Sequence, residues 1–270
     1  MTIVTNIFRA DHDGPALDDA LTWVFGPHCE DLVDADTNRA NVIMCNRHSR
    51  RRWYNDKVAA RRAARSNARK QTYVATHKLQ IPEGDDVPLD DTCPFDEGNL
   101  QELVCDDDGG IPDGTMSFYV KDVVILALSL DRKAGLVKNC RAEIVHLARH
   151  TIQVKLASGK IFPIPRVIFK FQPRGVYGSH IVVRRQFPLI PAYALTSHRG
   201  QGQTFWRALY DARDPFFAHG QANVCFSRVG SRTRFGVVAD RTCVNGDGHL
   251  LIVNTVYTPS LTAWTHLLTL

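Results

Sequence analysis

At 270 residues with 44% hydrophobic content, the chain is long enough for one large domain or two ordinary ones, and its apolar share is that of a packed core. Its longest apolar runs, such as 120–130 with Lys121 and Asp122 inside it, fall short of the roughly 20 residues of a membrane span, and the opening MTIVTNIFRADHD has neither the basic start nor the apolar block of a secretory signal. The net charge of +5 hides a segregation: residues 1–46 carry 2 basic and 8 acidic side chains, 47–78 carry 11 and 1, 79–120 carry 0 and 12, and 121–270 carry 20 and 7. Such blocks exclude a uniformly basic protein and point to a polyanion-binding surface beside an acidic segment, with plain solvated faces as the alternative.

The opening stretch carries no capping or targeting device, as though cut into from a longer chain. DGPALDDALTWVFG then predicts a helix: Asp13 or Gly14 precedes Pro15 at the start, Asp18 and Asp19 lie in the first turn, and Leu17, Ala20, Leu21 and Val24 share one face. NVIMC (41–45) reads as a buried strand, and the Arg- and Ala-rich segment from about Ser49 to Lys70 as a helix with Trp53 and Val58 as core contacts. Strand followed by basic helix is one unit of an α/β domain. Between Leu79 and Thr115 the acidic residues and Pro82, Pro88, Pro94 and Pro112 predict an extended excursion. Strand character returns at 117–128. From 135 to 183, alternation in Ile152, Val154 and Leu156, and again in Val167, Phe169 and Phe171, with a hairpin turn at SGK, predicts a small antiparallel barrel bearing Lys and Arg opposite its apolar residues. After Pro188 the α/β character resumes, and the tail offers a turn at 245–248, a strand and a final helical stretch.

Seven cysteines stand singly, with no CxxC pair and no histidine pair at zinc spacing. They read as reduced thiols inside a cell, with Cys45, Cys140 and Cys225 as small core residues and no metal site.

Two stretches carry candidate chemistry. In AYALTSHRGQGQT (192–204) an apolar run enters a loop holding Thr196, His198, Arg199, Gly202 and Gln203, whose glycines let the backbone approach a phosphate. In AHGQANVCFSRVGSR (218–232) a second strand-like run ends on Ser227 and Arg228, and a rigidly placed guanidinium suits a γ-phosphate whose charge grows during transfer. The plainer reading of Arg228 is a helix cap, or a partner of Asp211 or Asp214. A thiol hydrolase using Cys225 or Cys140 with a histidine is a further option, though no oxyanion loop accompanies either.

RRQFPLIPAYALTSHRGQGQTF, DPFFAHGQANVCFSRVGSR and LSLDRKAGLVKNCR resemble the C-terminal half of Pif-type DNA helicases of superfamily 1, especially the forms carried by Helitron transposons. The terminal IVNTVY is similar to the ending of those helicases, and VIMCNRHSRRRWYNDKV resembles their strand–helix unit with its Asn55; the likeness spans roughly 40–258. The resemblance implies an α/β fold, a second RecA-like helicase domain with an inserted small SH3-like β-barrel. Residues 1–116 would be the N-terminal part of the RecA-like domain plus the acidic excursion, 117–186 the barrel, and 187–270 the C-terminal part. It further implies that Thr196, His198 and Arg199 face single-stranded DNA, that Gly202 and Gln203 face a nucleotide, and that Arg228 is a catalytic arginine finger also touching the nucleotide. Single-stranded or forked DNA would be the partner, in an intracellular setting, the nucleus included.

The sequence departs from the family pattern at Leu128-Ser129, Lys138-Asn139, Asn223 and Arg199-Gly200. It also contains no GxxxxGK[ST] phosphate loop and no strand ending in an Asp-Glu pair. ATP and magnesium are therefore expected only with a first RecA-like domain supplied elsewhere. The chain alone would be inactive; the alternative is a non-catalytic DNA-binding remnant of a transposon helicase.

Overall fold

The computed structural model describes residues 6–10, 14–30, 32, 40–66, 70–80, 110–171, 181–218 and 220–240. In chain order the elements are β1 (Asn6–Arg9), α1 (Pro15–Phe25), β2 (Asn41–Cys45), α2 (His48–Ser66), β3 (Gln71–Val74), β4 (Thr76–Gln80), β5 (Thr115–Phe118), β6 (Val123–Leu126), β7 (Arg141–Leu147) and β8 (Thr151–Leu156). There follow β9 (Ile161–Pro165), β10 (Val167–Phe171), β11 (Ile181–Gln186), β12 (Leu189–Pro191), β13 (Ala194–Thr196), β14 (Arg207–Asp211), α3 (Gln221–Phe226), a 3₁₀ turn (Arg232–Arg234) and β15 (Phe235–Ala239). The acidic excursion over 81–109 and the tail expected beyond 240 lie outside the described residues. Among those described, no helix is long and apolar enough to cross a membrane.

The chain divides into two compact units, residues 1–65 with 192–270, and residues 66–191. Unit 1 is built on a five-stranded sheet in the order β1-β15-β14-β2-β13, parallel throughout. A parallel sheet covered on both faces needs strands without a polar side, and NVIMC and FGVVA are buried at every position. α1 begins at Pro15, whose fixed φ suits the first helical turn, and buries Leu17, Ala20, Leu21, Val24 and Phe25 as its period requires. Asp18 on this helix pairs with Arg61 and with Lys57 of α2. In α2 the buried aromatic is Tyr54 rather than the expected Trp53, which is half-buried, while Val58 is buried as expected.

Unit 2 is antiparallel. A five-stranded sheet runs β12-β6-β7-β8-β9, a three-stranded one β10-β11-β4, and a ribbon pairs β3 with β5. The β8–β9 hairpin turns at Gly159, whose φ of +80° lies in the left-handed region that glycine adopts at no steric cost. Ile144, Ile152, Val154 and Ile164 fill a core with Tyr73, Phe118 and Phe187. Two expectations change here. Residues 71–80 form strands of this unit, so it opens at Ser66 and not at Ser117. The strands expected in one barrel are shared between two sheets, because β11 pairs on one side with β10 and on the other with β4.

Candidate functional site

The register of the parallel sheet aligns Thr196 with Cys45 and Tyr210 with Met44, so β13, β2 and β14 end together at one edge of unit 1. Ligands of open parallel sheets sit outside such carboxyl ends. Three segments leave this edge: Asn46-Arg47, the loop 197–204, and 212–217 leading to α3.

Asn46, 4% exposed, ties them together. Its amide donates to the Tyr210 hydroxyl at 2.8 Å, the Asp214 carbonyl at 2.9 Å and the Pro215 carbonyl at 3.0 Å. Its oxygen accepts the Ser197 hydroxyl at 2.8 Å. Ser197 in turn accepts the Cys225 thiol at 3.2 Å, bringing in α3. Burial first of all pushes that thiol up to about 11, so it is protonated and acts as a donor. Burial raises the Cys140 thiol as well. Reactive cysteines carry lowered values, and the thiol-hydrolase option finds no support here.

Beyond Thr196 the chain turns sharply: the Thr196 carbonyl accepts the amides of Arg199 at 2.9 Å and Gly200 at 3.1 Å. A β-carbon on Gly200 would lie 2.7 Å from the Met44 methyl, so a larger residue there would have to displace the end of the Met44 side chain from under the turn. Gly202, at φ +77°, has open space where a side chain would stand. Gln203 folds back, its amide donating to the Arg199 carbonyl at 2.9 Å.

Arg228 follows α3, not a strand as its β-rich neighbours predicted; six residues of QANVCF close one helical turn and a half instead. Its guanidinium donates through Nε to the Val224 carbonyl at 2.7 Å, through Nη1 to the Gln203 carbonyl at 3.2 Å, and through Nη2 to the Ser227 hydroxyl at 2.6 Å. Its own carbonyl accepts the Phe205 amide at 2.8 Å. The helix-cap reading of Arg228 therefore describes this conformation, while pairing with Asp211 or Asp214 does not. Asp211, fully buried, is held by Arg213 at 2.9 and 2.7 Å and by the Tyr54 hydroxyl at 2.8 Å. Asp214 faces Arg47 at 3.2 Å and Arg50 at 3.4 Å.

The structure thus bonds Arg228 to Gln203, with Gly202 beside it in the chain. Thr196 and Arg199 lie in the same turn but are buried, at 5% and 9% exposure, whereas His198 is exposed with its ring 5.9 Å from that of Phe217. Asn46, Ser197 and Tyr210 were not singled out in the sequence; an asparagine directly after an all-apolar strand was the one available signal. Among the described residues, no group of three His, Cys, Asp or Glu side chains could hold a metal.

No family model matches the chain. A segment of 61 residues, 23% of this chain and 7% of the relative, is 43% identical to the ATP-dependent DNA helicase PIF1 of Candida albicans (strain SC5314 / ATCC MYA-2876). The fold is similar to a crystal structure of Pif1 helicase from Candida albicans, with TM-score 0.55, 17% identity, and coverage of 84% of this chain and 49% of that one. It is also similar to Pif1 helicase from Bacteroides in complex with ADP-AlF3 and single-stranded DNA, with TM-score 0.54, 16% identity, and coverage of 92% and 49%. The chain spans under half the length of these solved proteins.

Proposed function

From a chain that resembles Pif1-type superfamily 1 DNA helicases in both sequence and fold, over what corresponds to their C-terminal half, we propose that it works as the C-terminal portion of an ATP-dependent DNA helicase. Unit 1 is then a second RecA-like domain and unit 2 the counterpart of the inserted SH3-like barrel. Thr196, His198 and Arg199 belong to the turn that meets single-stranded DNA, Gly202 and Gln203 face the nucleotide, and Arg228 is the arginine finger.

One observation carries this reading. Arg228 is bonded to the Gln203 carbonyl and, through its own carbonyl, to Phe205, so the guanidinium is tied directly to the loop that continues from the DNA-facing turn. The residues fit a phosphate: the open backbone at Gly202 allows close approach, and a fork-shaped cation lies in the same loop system. ATP would supply the phosphoryl group and magnesium its charge neutralisation, both held by a first RecA-like domain. In this chain Gly202 and Gln203 position the phosphates, and Arg228 stabilises developing charge after exchanging neutral acceptors for the phosphate. The protein would act inside the cell, in the nucleus among other compartments.

The test adds labelled single-stranded DNA and ATP to the pure chain. DNA affinity is expected to fall steeply with salt, about 300-fold between 50 and 200 mM for six phosphate contacts to a single strand, with no appreciable ATP hydrolysis. DNA-stimulated turnover by the pure chain would refute the half-site reading, and flat salt dependence would refute DNA binding. The alternative, a non-catalytic DNA-binding remnant of a transposon helicase, is favoured by the occupation of all three Arg228 nitrogens by neutral acceptors. Adding a separately expressed first RecA-like domain separates the two: Arg228-dependent ATP turnover supports the helicase portion, and none supports the remnant.

A further inference from the structure

The three-stranded sheet of unit 2 has two faces of opposite character. One side holds Phe169, Phe171, Val182 and Gln186, all buried, together with Arg184 at 1% exposure. Arg184 is retained there because its Nε donates to His77 Nε2 at 2.8 Å, its Nη1 donates to the Pro112 carbonyl at 2.9 Å, and its guanidinium lies over Phe171 at 5.0 Å. The other side is set by register. Lys170, Val183 and Lys78 form one row across the three strands, Ile168, Arg185 and Thr76 the next, and Ile181 with Gln80 a third. Lys170, Lys78 and Arg185 are exposed, and Ile168 is 61% exposed.

These rows hold three cations and no carboxylate. Among the described residues, no acidic side chain lies within ion-pair distance of any of the three. Arg166, next along from β10, is bound by Nη1 to the Val74 carbonyl at 2.6 Å. Its guanidine is less basic than usual, through partial burial first and then through the positive charge of Arg185. Lys170 donates to the neutral Gln80 Oε1 at 3.3 Å; like charges gathered on one face without carboxylate partners repel each other, and an anion relieves that repulsion.

We propose that this outer face of β4, β10 and β11 binds single-stranded DNA, with Lys170, Lys78 and Arg185 on successive phosphates and Ile168, Val183 and Ile181 under sugars and unstacked bases. Adjacent strands lie about 4.8 Å apart, which places Lys170 and Lys78, two strands apart, roughly 10 Å from each other, within reach of one backbone. A duplex keeps its base faces stacked inside and would leave the apolar rows without contacts. An anionic membrane is the weaker fit, because surfaces that enter lipid carry exposed aromatic anchors and these rows have none. The surface belongs to unit 2 and does not depend on the reading of Thr196 to Arg228.

The test compares the full chain with a Lys78→Gln/Lys170→Gln/Arg185→Gln variant, by fluorescence anisotropy on a labelled thymidine oligonucleotide over a salt series. The expected slope of log affinity against log salt is shallower by about 2, and affinity at 0.1 M salt is weaker by about 100-fold. The melting curve should stay unchanged, since all three side chains are exposed. Lys170→Gln alone, the mildest change, should flatten the slope by about 0.7. An unchanged slope overturns the proposal, as does a loss seen only with duplex DNA or only with phosphatidylserine vesicles. A His198→Ala variant run beside it keeps the two sites apart: weakening there with none in the triple variant retains the unit 1 reading and removes this one.

Discussion

Replacing Asn46 with alanine tests whether the carboxyl edge of the parallel sheet is held by one side chain. The substitution deletes three donated hydrogen bonds and one accepted one at a residue 4% exposed. Some partners have second choices: the Tyr210 hydroxyl reaches the Asp214 carbonyl at 3.4 Å, and the Ser197 hydroxyl reaches the Cys45 carbonyl at 3.3 Å. Pro215 is left without its bond. With about 1–3 kcal/mol for each buried group left unsatisfied, and partial rescue of the others, the loss should be about 2–4 kcal/mol. Urea unfolding followed by tryptophan fluorescence reads it, because the tryptophans among the described residues, Trp23, Trp53 and Trp206, belong to unit 1. The midpoint should fall with an unchanged slope, and amide exchange should quicken across 197–204. A loss below about 0.5 kcal/mol, the level of an ordinary surface change, would refute the claim that Asn46 organises the edge.

A methyl added at Gly236 would meet the Trp23 ring at 2.7 Å and Leu209 at 3.2 Å; Gly236→Ala should therefore cost about 1–3 kcal/mol of overpacking, measured by the same unfolding curve. His77 is held at about 4 by burial and then by Arg184. Because the unfolded chain binds its proton already near 6.5, stability should be lost as pH falls from 6.5 to 4, by about 1 kcal/mol once solvent screening of this half-buried group is allowed for. A His77→Gln variant should flatten that dependence, and an identical slope would contradict the assignment. Cys225, buried and protonated, should resist iodoacetamide at pH 8 until the chain unfolds. Rapid labelling of the native protein, read by mass spectrometry, would place the thiol elsewhere.

What the sequence made legible was set by the reach of each cause. Pro15 and the 3.6 period act within eleven residues, and α1 forms where they place it. After Asn41, NVIMC is apolar at every position, as an internal strand buried on both faces requires. By contrast, α3 contains Val, Cys and Phe, whose strand preference reflects half-buried packing more than backbone bias. Its actual surroundings are Ser197 and the loop of Arg228, which local sequence does not encode. β3 and β4 sit between a basic helix and an acidic stretch, and composition masked the short alternation of Tyr73 and Ala75. The Asn46 network joins residues 151 and 164 positions apart. No spacing rule reaches that far, and the resemblance named the loops without naming what holds them.

Asn55 has a further effect through its place on α2. β13 is the outermost strand of its sheet, and with Tyr193 and Ser197 bonded toward β2, the Ala194 amide and carbonyl point away from the sheet. The Asn55 side chain takes both, accepting from the amide at 2.9 Å and donating to the carbonyl at 3.1 Å. An open edge of this kind would be a template for a strand from another chain. One carboxamide, offering the same donor and acceptor as a peptide group, stands in for the missing neighbour. It caps the lateral growth of the sheet on the β13 side, the side on which the loop 197–204 leaves it.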